Sequence, residues 1–125
     1  MRNKFLNAIA ILFLSMVMAS CTHEQNVAVA VSFKKDIQPI FRASCAINSS
    51  CHLGANNAND NIDLDSSAAY TTIINKQLVM VPHPSSSLLY VEVSSGAMPK
   101  SPYPSLTSQQ LSLILNWIKQ GAANN

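Results

Sequence analysis

Cys45-Ala46-Ile47-Asn48-Ser49-Ser50-Cys51-His52 is the stretch on which the reading of this chain turns. Two thiols and an imidazole fall within eight residues, and five residues separate the cysteines. The arrangement is a near-miss of C-x-x-C-H, in which two thiols bond a haem and the adjacent histidine meets its iron. Three chemistries compete for such a loop. A haem needs both sulfurs within reach of its two vinyl groups, which a longer loop allows by bulging outward. A Cys45–Cys51 disulfide in an oxidising compartment would close a short loop and contribute about 2 kcal/mol. A zinc site needs four ligands when structural, and two cysteines and one histidine fall short of that.

The start of the chain bears on the compartment. Arg2 and Lys4 precede an apolar run from Phe5 to Met18, and Ala19-Ser20 lead to Cys21. A basic start, a short apolar core and small residues before a cut are the parts of a secretory signal. The core falls short of the ~20 apolar residues a membrane span requires. Met18-Ala19-Ser20-Cys21 resembles the bacterial lipobox, so residues 1–20 are expected to be removed and Cys21 to carry lipid. Residues 21–31 then read as a tether, with His23 a solvated linker residue, and residues 32–123 as one domain. Removal of Arg2 and Lys4 leaves six basic against six acidic residues. No basic stripe remains for nucleic acid. Cys45 and Cys51 become the only cysteines, and Met80 and Met98 the only methionines.

The pattern predicts an all-α domain of about four helices with large loops. Ser32 is a candidate N-cap for a first helix reaching Ala43, with Phe33, Ile37, Ile40 and Phe41 on one face and Pro39 interrupting it. After His52, the run Ala55–Asn61 reads as a surface spacer; it lacks the glycine and terminal glutamate of a calcium loop. Ser66 or Ser67 could cap a short helix through Ala68–Ile74. Leu78–Val81 is apolar and ends at Pro82-His83-Pro84. Ser85, Ser86 and Ser87 offer caps for Leu88–Val93, with Leu88, Leu89 and Val91 expected inward. The last helix carries a capping box, Thr107 with Gln110, an apolar stripe of Leu111, Ile114, Leu115 and Ile118 widened by Trp117, and a stop at Gly121. A domain of this size with so much loop usually has something filling its centre.

A haem held by His52 needs a sixth ligand, and methionine is a common one. Met80 lies in an apolar run and is expected to be core. Met98 lies in a loop between Gly96 and Pro99, outside any apolar face, where a methionine has little to bury against unless something binds it. His83 is a minor alternative, read first as a surface turn residue.

These residues together resemble a small class I c-type cytochrome domain of the planctomycete type. The resemblance spans roughly Val31 to Ala122. It rests on Phe33-Lys34-Lys35-Asp36-Ile37-Gln38-Pro39-Ile40-Phe41 leading into Cys45, and on Cys51-His52-Leu53-Gly54. It continues in Val81-Pro82 running into Ser87-Leu88-Leu89-Tyr90, in Met98-Pro99, and in the closing Trp117-Ile118-Lys119-Gln120-Gly121-Ala122. It implies a cytochrome c-like fold around one covalent haem c, with thioethers on Cys45 and Cys51, His52 and Met98 on the iron, and the first and last helices crossed. It also implies electron transfer with redox partners rather than catalysis, and the lipobox at Cys21 adds the expectation of a lipoprotein at the membrane of the cell envelope. Ile37, Phe41, Leu88, Leu115 and Trp117 are the expected pocket walls. The five-residue gap departs from the family pattern.

Overall fold

The computed structural model describes residues 29–125. The signal segment, Cys21 and His23 lie outside the described residues. Among the described residues there are four α-helices and no strand: α1 (Gln38–Ser44), α2 (Ala69–Asn75), α3 (Leu88–Ser94) and α4 (Ser108–Lys119). The all-α expectation is met.

A π-helical turn, Phe33–Ile37, runs directly into α1. Ser32 caps it as expected: its hydroxyl accepts from Lys35 N–H, and Asp36 accepts from Ser32 N–H at 2.8 Å. The wider turn answers the problem of Pro39. A proline ring clashes with the carbonyl four residues back in a regular helix, and a π turn bonds five residues back instead, as Ile37 N–H does to Ser32 and Gln38 N–H to Phe33.

α4 has the capping box read from the sequence, with Thr107 N–H donating to Gln110 Oε1 at 2.8 Å and Gln110 N–H to Thr107 Oγ1 at 3.2 Å. It ends at Gly121 in the left-handed region, where Ala122 N–H donates to Trp117 and Gly121 N–H to Ile118. This is the paired-bond ending that glycine favours. α2 ends the same way without glycine: Gln77 has φ +54°, Leu78 N–H donates to Ile73 and Gln77 N–H to Ile74. Neither Ser66 nor Ser67 caps α2; the Asp65 carbonyl takes the N–H groups of Ala68 and Ala69 instead. Ser87 occupies the cap position of α3 but spends its fully buried hydroxyl on Met80 N–H, at 2.8 Å. That bond ties the Leu78–Met80 stretch to the start of α3.

The core gathers Phe33, Ile37 and Phe41 from the first helical segment, Ile73 from α2, Leu89 and Val93 from α3, and Ile114, Trp117 and Ile118 from α4. Phe33 stands at its centre, with ring centroids 5.2 Å from both Tyr70 and Trp117. α4 packs on the π turn and on α3. Two expectations about the core fail. Leu88 and Val91 face outward, Leu88 being 52 % exposed, because Leu89 and Val93 take the inner face of α3. Met80 is not core but 41 % exposed, because the tie to Ser87 turns it away from the interior.

The two ends of the described chain meet. Lys34 N–H and the Ser32 hydroxyl both donate to the Asn125 carbonyl, and Phe33 N–H donates to Asn125 Oδ1 at 2.8 Å. Unpaired N–H groups at a helix start need such partners, and the last residue of the chain supplies them.

Candidate functional site

The loop after α1 does not wander. Cys45 N–H and Ala46 N–H still bond back to Phe41, so Cys45 is set by the end of the helix. Asn48 then turns the chain: its Oδ1 accepts from Ser50 N–H at 2.9 Å and from Cys51 N–H at 3.2 Å, and its carbonyl accepts from Cys51 and Leu53. His52 N–H donates to the Cys45 carbonyl at 3.0 Å, so the five-residue gap closes on itself. Cys51-His52 is thereby returned beside Cys45.

The Asn-rich run that reads as a spacer is instead the wall of this loop. Asn59 is buried, and its Nδ2 donates to the carbonyls of Cys51 at 2.7 Å and Gly54 at 2.8 Å. Asn56 bonds Ser49, and Asp63 Oδ1 accepts from Gly54 N–H and Asp65 N–H. Asp60 and Asn61 both take positive φ, near 54°, a conformation that Asn and Asp tolerate better than other side chains. The signal in the sequence was composition: short amides and carboxylates that bond nearby backbone.

His52 is anchored twice more. Its carbonyl accepts from Leu64 N–H, and its Nδ1 lies 3.0 Å from the Ile62 carbonyl. A carbonyl only accepts, so Nδ1 carries the proton, and in the neutral imidazole Nε2 then keeps its lone pair. This is the arrangement by which metal-binding histidines are oriented.

Met98 reaches the site from the far side of the chain. After α3, Gly96 in the left-handed region turns the backbone, and Met98 N–H donates to the Glu92 carbonyl at 2.9 Å. Cys45, Cys51, His52 and Met98 all line one cavity of about 470 Å³, within the roughly 300–1,000 Å³ of small-molecule and cofactor sites. Ile62, Leu64, Leu78, Leu89 and Val93 supply much of its apolar wall. Of the expected walls only Leu88 lines it; Ile37, Phe41 and Trp117 lie in the core and Leu115 is half-buried away from the cavity. His83 is exposed and does not line it.

Both cysteines are free thiols, Cys45 buried and Cys51 partly exposed. Burial, with Cys51 nearby, pushes the Cys45 thiol up from the ordinary 9.0 to about 12. A folded-state pKa raised this way stabilises the fold below the unfolded value, and that contribution is lost as pH rises through the folded value. The reduced, haem-free chain is therefore expected to lose stability from about pH 9 upward, with a slope from this group of up to about 1.4 kcal/mol per pH unit. Denaturant midpoints of the chain and of Cys45→Ala between those limits check it; identical pH slopes would contradict it.

Among the described residues no three His, Cys, Asp or Glu side chains converge as a metal cluster would require. The four side chains instead line one cavity. Two thiols, one imidazole whose Nδ1 is engaged with Ile62, and one thioether face this cavity. No protein-family model, no curated protein and no solved structure matches the chain.

Proposed function

We propose that this chain is an electron carrier built on a cytochrome c-like fold around one covalent haem c. Cys45 and Cys51 would hold the haem by thioethers, and His52 Nε2 and the Met98 sulfur would take the two axial positions. A lipid on Cys21 would keep it at a membrane of the cell envelope, within reach of redox partner proteins. One observation carries this reading: the Cys45–His52 loop and the distant Met98 line one largely apolar cavity, with His52 Nδ1 already bonded to Ile62.

The haem supplies a one-electron couple when bound. The chain's own residues would do the rest. His52 is fixed in orientation by Ile62, and Met98 is fixed by its backbone bond to Glu92, so neither need move when charge changes. A thioether ligand and a dry pocket raise the potential, and Leu64, Leu78, Leu89 and Val93 would keep water from a bound haem. With two side chains on the axial positions no coordination site is left for a substrate, so a carrier is favoured over an enzyme.

The test is expression of the full chain in a host that attaches haem in its periplasm. After denaturing electrophoresis the band is expected to stain for haem peroxidase activity. An unstained band, with a mass lower than the free-thiol chain by two hydrogens, would replace this reading with a haem-free lipoprotein closed by a Cys45–Cys51 disulfide. In the reduced haem-loaded protein, Met98→Ala is expected to bind carbon monoxide far faster than the unaltered chain, in which Met98 must first leave the iron, whereas His83→Ala is not. The reverse pattern would move the distal ligand to His83.

A further inference from the structure

The geometry points to the Asn48–Tyr103 hydrogen bond as a latch that couples the loop bearing His52 to the loop bearing Met98. Asn48 Nδ2 donates to the Tyr103 hydroxyl at 3.0 Å, and both residues line the cavity. The rest of Asn48 is already committed to the turn that returns Cys51-His52 to the cavity wall. Among the described residues, this is the one hydrogen bond that joins residues 99–106 to another part of the chain; Tyr103 N–H bonds only within its loop, to Lys100. Buried Pro99 and Leu106 pack this loop, and its hydrogen bonds are to Glu92 at its start, through the capping box of α4 at its end, and across the cavity to Asn48.

The latch also accounts for the long cysteine spacing. A two-residue gap has no room for a residue that both turns the loop and reaches across the mouth. The five-residue gap places Asn48 where it does both. Breaking the bond should let the two loops part, and Met98 should then leave its position more often. The consequence for an iron–Met98 bond rests on the proposed function; the coupling of the two loops does not.

Hydrogen exchange read by mass spectrometry on the full chain tests it. Tyr103→Phe keeps the ring and removes the hydroxyl. Exchange is expected to rise about fivefold, the effect of losing one net hydrogen bond, both in residues 97–106 and in residues 48–53, with α4 unchanged. Asn48→Asp leaves a carboxylate that can still accept from Ser50, Cys51 and the Tyr103 hydroxyl, so it is expected to exchange like the unaltered chain. Unchanged exchange in residues 48–53 of Tyr103→Phe would overturn the latch, whatever the haem content. In the reduced haem-loaded protein, Tyr103→Phe should also bind carbon monoxide about fivefold faster; faster exchange without faster binding would overturn the link to Met98. A chain that takes no haem yet shows the coupled exchange would keep the latch and remove the electron-carrier reading.

Discussion

Replacing His52 with alanine is expected to cut the yield of covalently haem-loaded chain at least about tenfold, since altering even the partner that orients a metal ligand costs 10- to 100-fold. The substitution removes the Nε2 lone pair that would meet the iron and the Nδ1–H bond to Ile62. It does not remove the backbone bonds that close the loop, from His52 N–H to Cys45 and from Leu64 N–H to the His52 carbonyl. The haem-free variant should therefore lose only the worth of one hydrogen bond, about 1 kcal/mol. Haem stain normalised to protein, beside a denaturant melt of the haem-free chain, separates the two effects. An unchanged stain would take His52 off the iron. A collapse of the haem-free fold would show that the imidazole is mainly a structural tie between the cysteine loop and Ile62.

Trp117→Ala should have the largest effect on stability. Trp117 is 1 % exposed, packs against Phe33 with ring centroids 5.2 Å apart, and donates from Nε1 to the Ala123 carbonyl at 2.9 Å. Truncating a buried Trp costs about 3–5 kcal/mol, against the roughly 5–15 kcal/mol that a whole domain has. The indole holds together three parts of the chain: the π turn through Phe33, α4 itself, and the C-terminal residues through Ala123. Those last residues in turn cap the π turn through Asn125. The loss should therefore spread to both ends of the described chain. The denaturant midpoint reads the total. Trp117→Phe, which keeps a ring and loses the Nε1–H bond, should cost clearly less. Equal costs for the two would place the effect in the Ala123 bond rather than the packing.

The parts of the fold legible in the sequence are those whose causes are local. Thr107 and Gln110 cap α4 through groups three residues apart, Gly121 ends it, and the apolar stripe of Ile114, Trp117 and Ile118 needs only helical periodicity. Ser32 capped its turn for the same reason. Reading failed where a side chain had a distant or unusual partner. Ser87 occupies a cap position yet serves Met80, and that decided which apolar residues between Leu78 and Val91 face inward. Gln77 ends α2 in a conformation that glycine normally signals. The Asn-rich run carried no periodicity, so its role as a wall holding the Cys51 and Gly54 carbonyls was invisible until the chain had folded back.

The sequence by itself determined the helix class and the ends of α4, and it singled out Cys45, Cys51, His52 and Met98 as candidate site residues. Each follows from residue type and short-range spacing, since capping, periodicity and thiol or imidazole chemistry act within a few residues. Only the tertiary structure decided that these four share one cavity, that Ile62 leaves Nε2 of His52 free, and that the long cysteine gap is a closed turn bonded across to Tyr103. Those outcomes depend on hydrogen bonds between loops far apart in the chain. Such bonds form only once the aromatic core around Phe33 has fixed where each loop begins and ends.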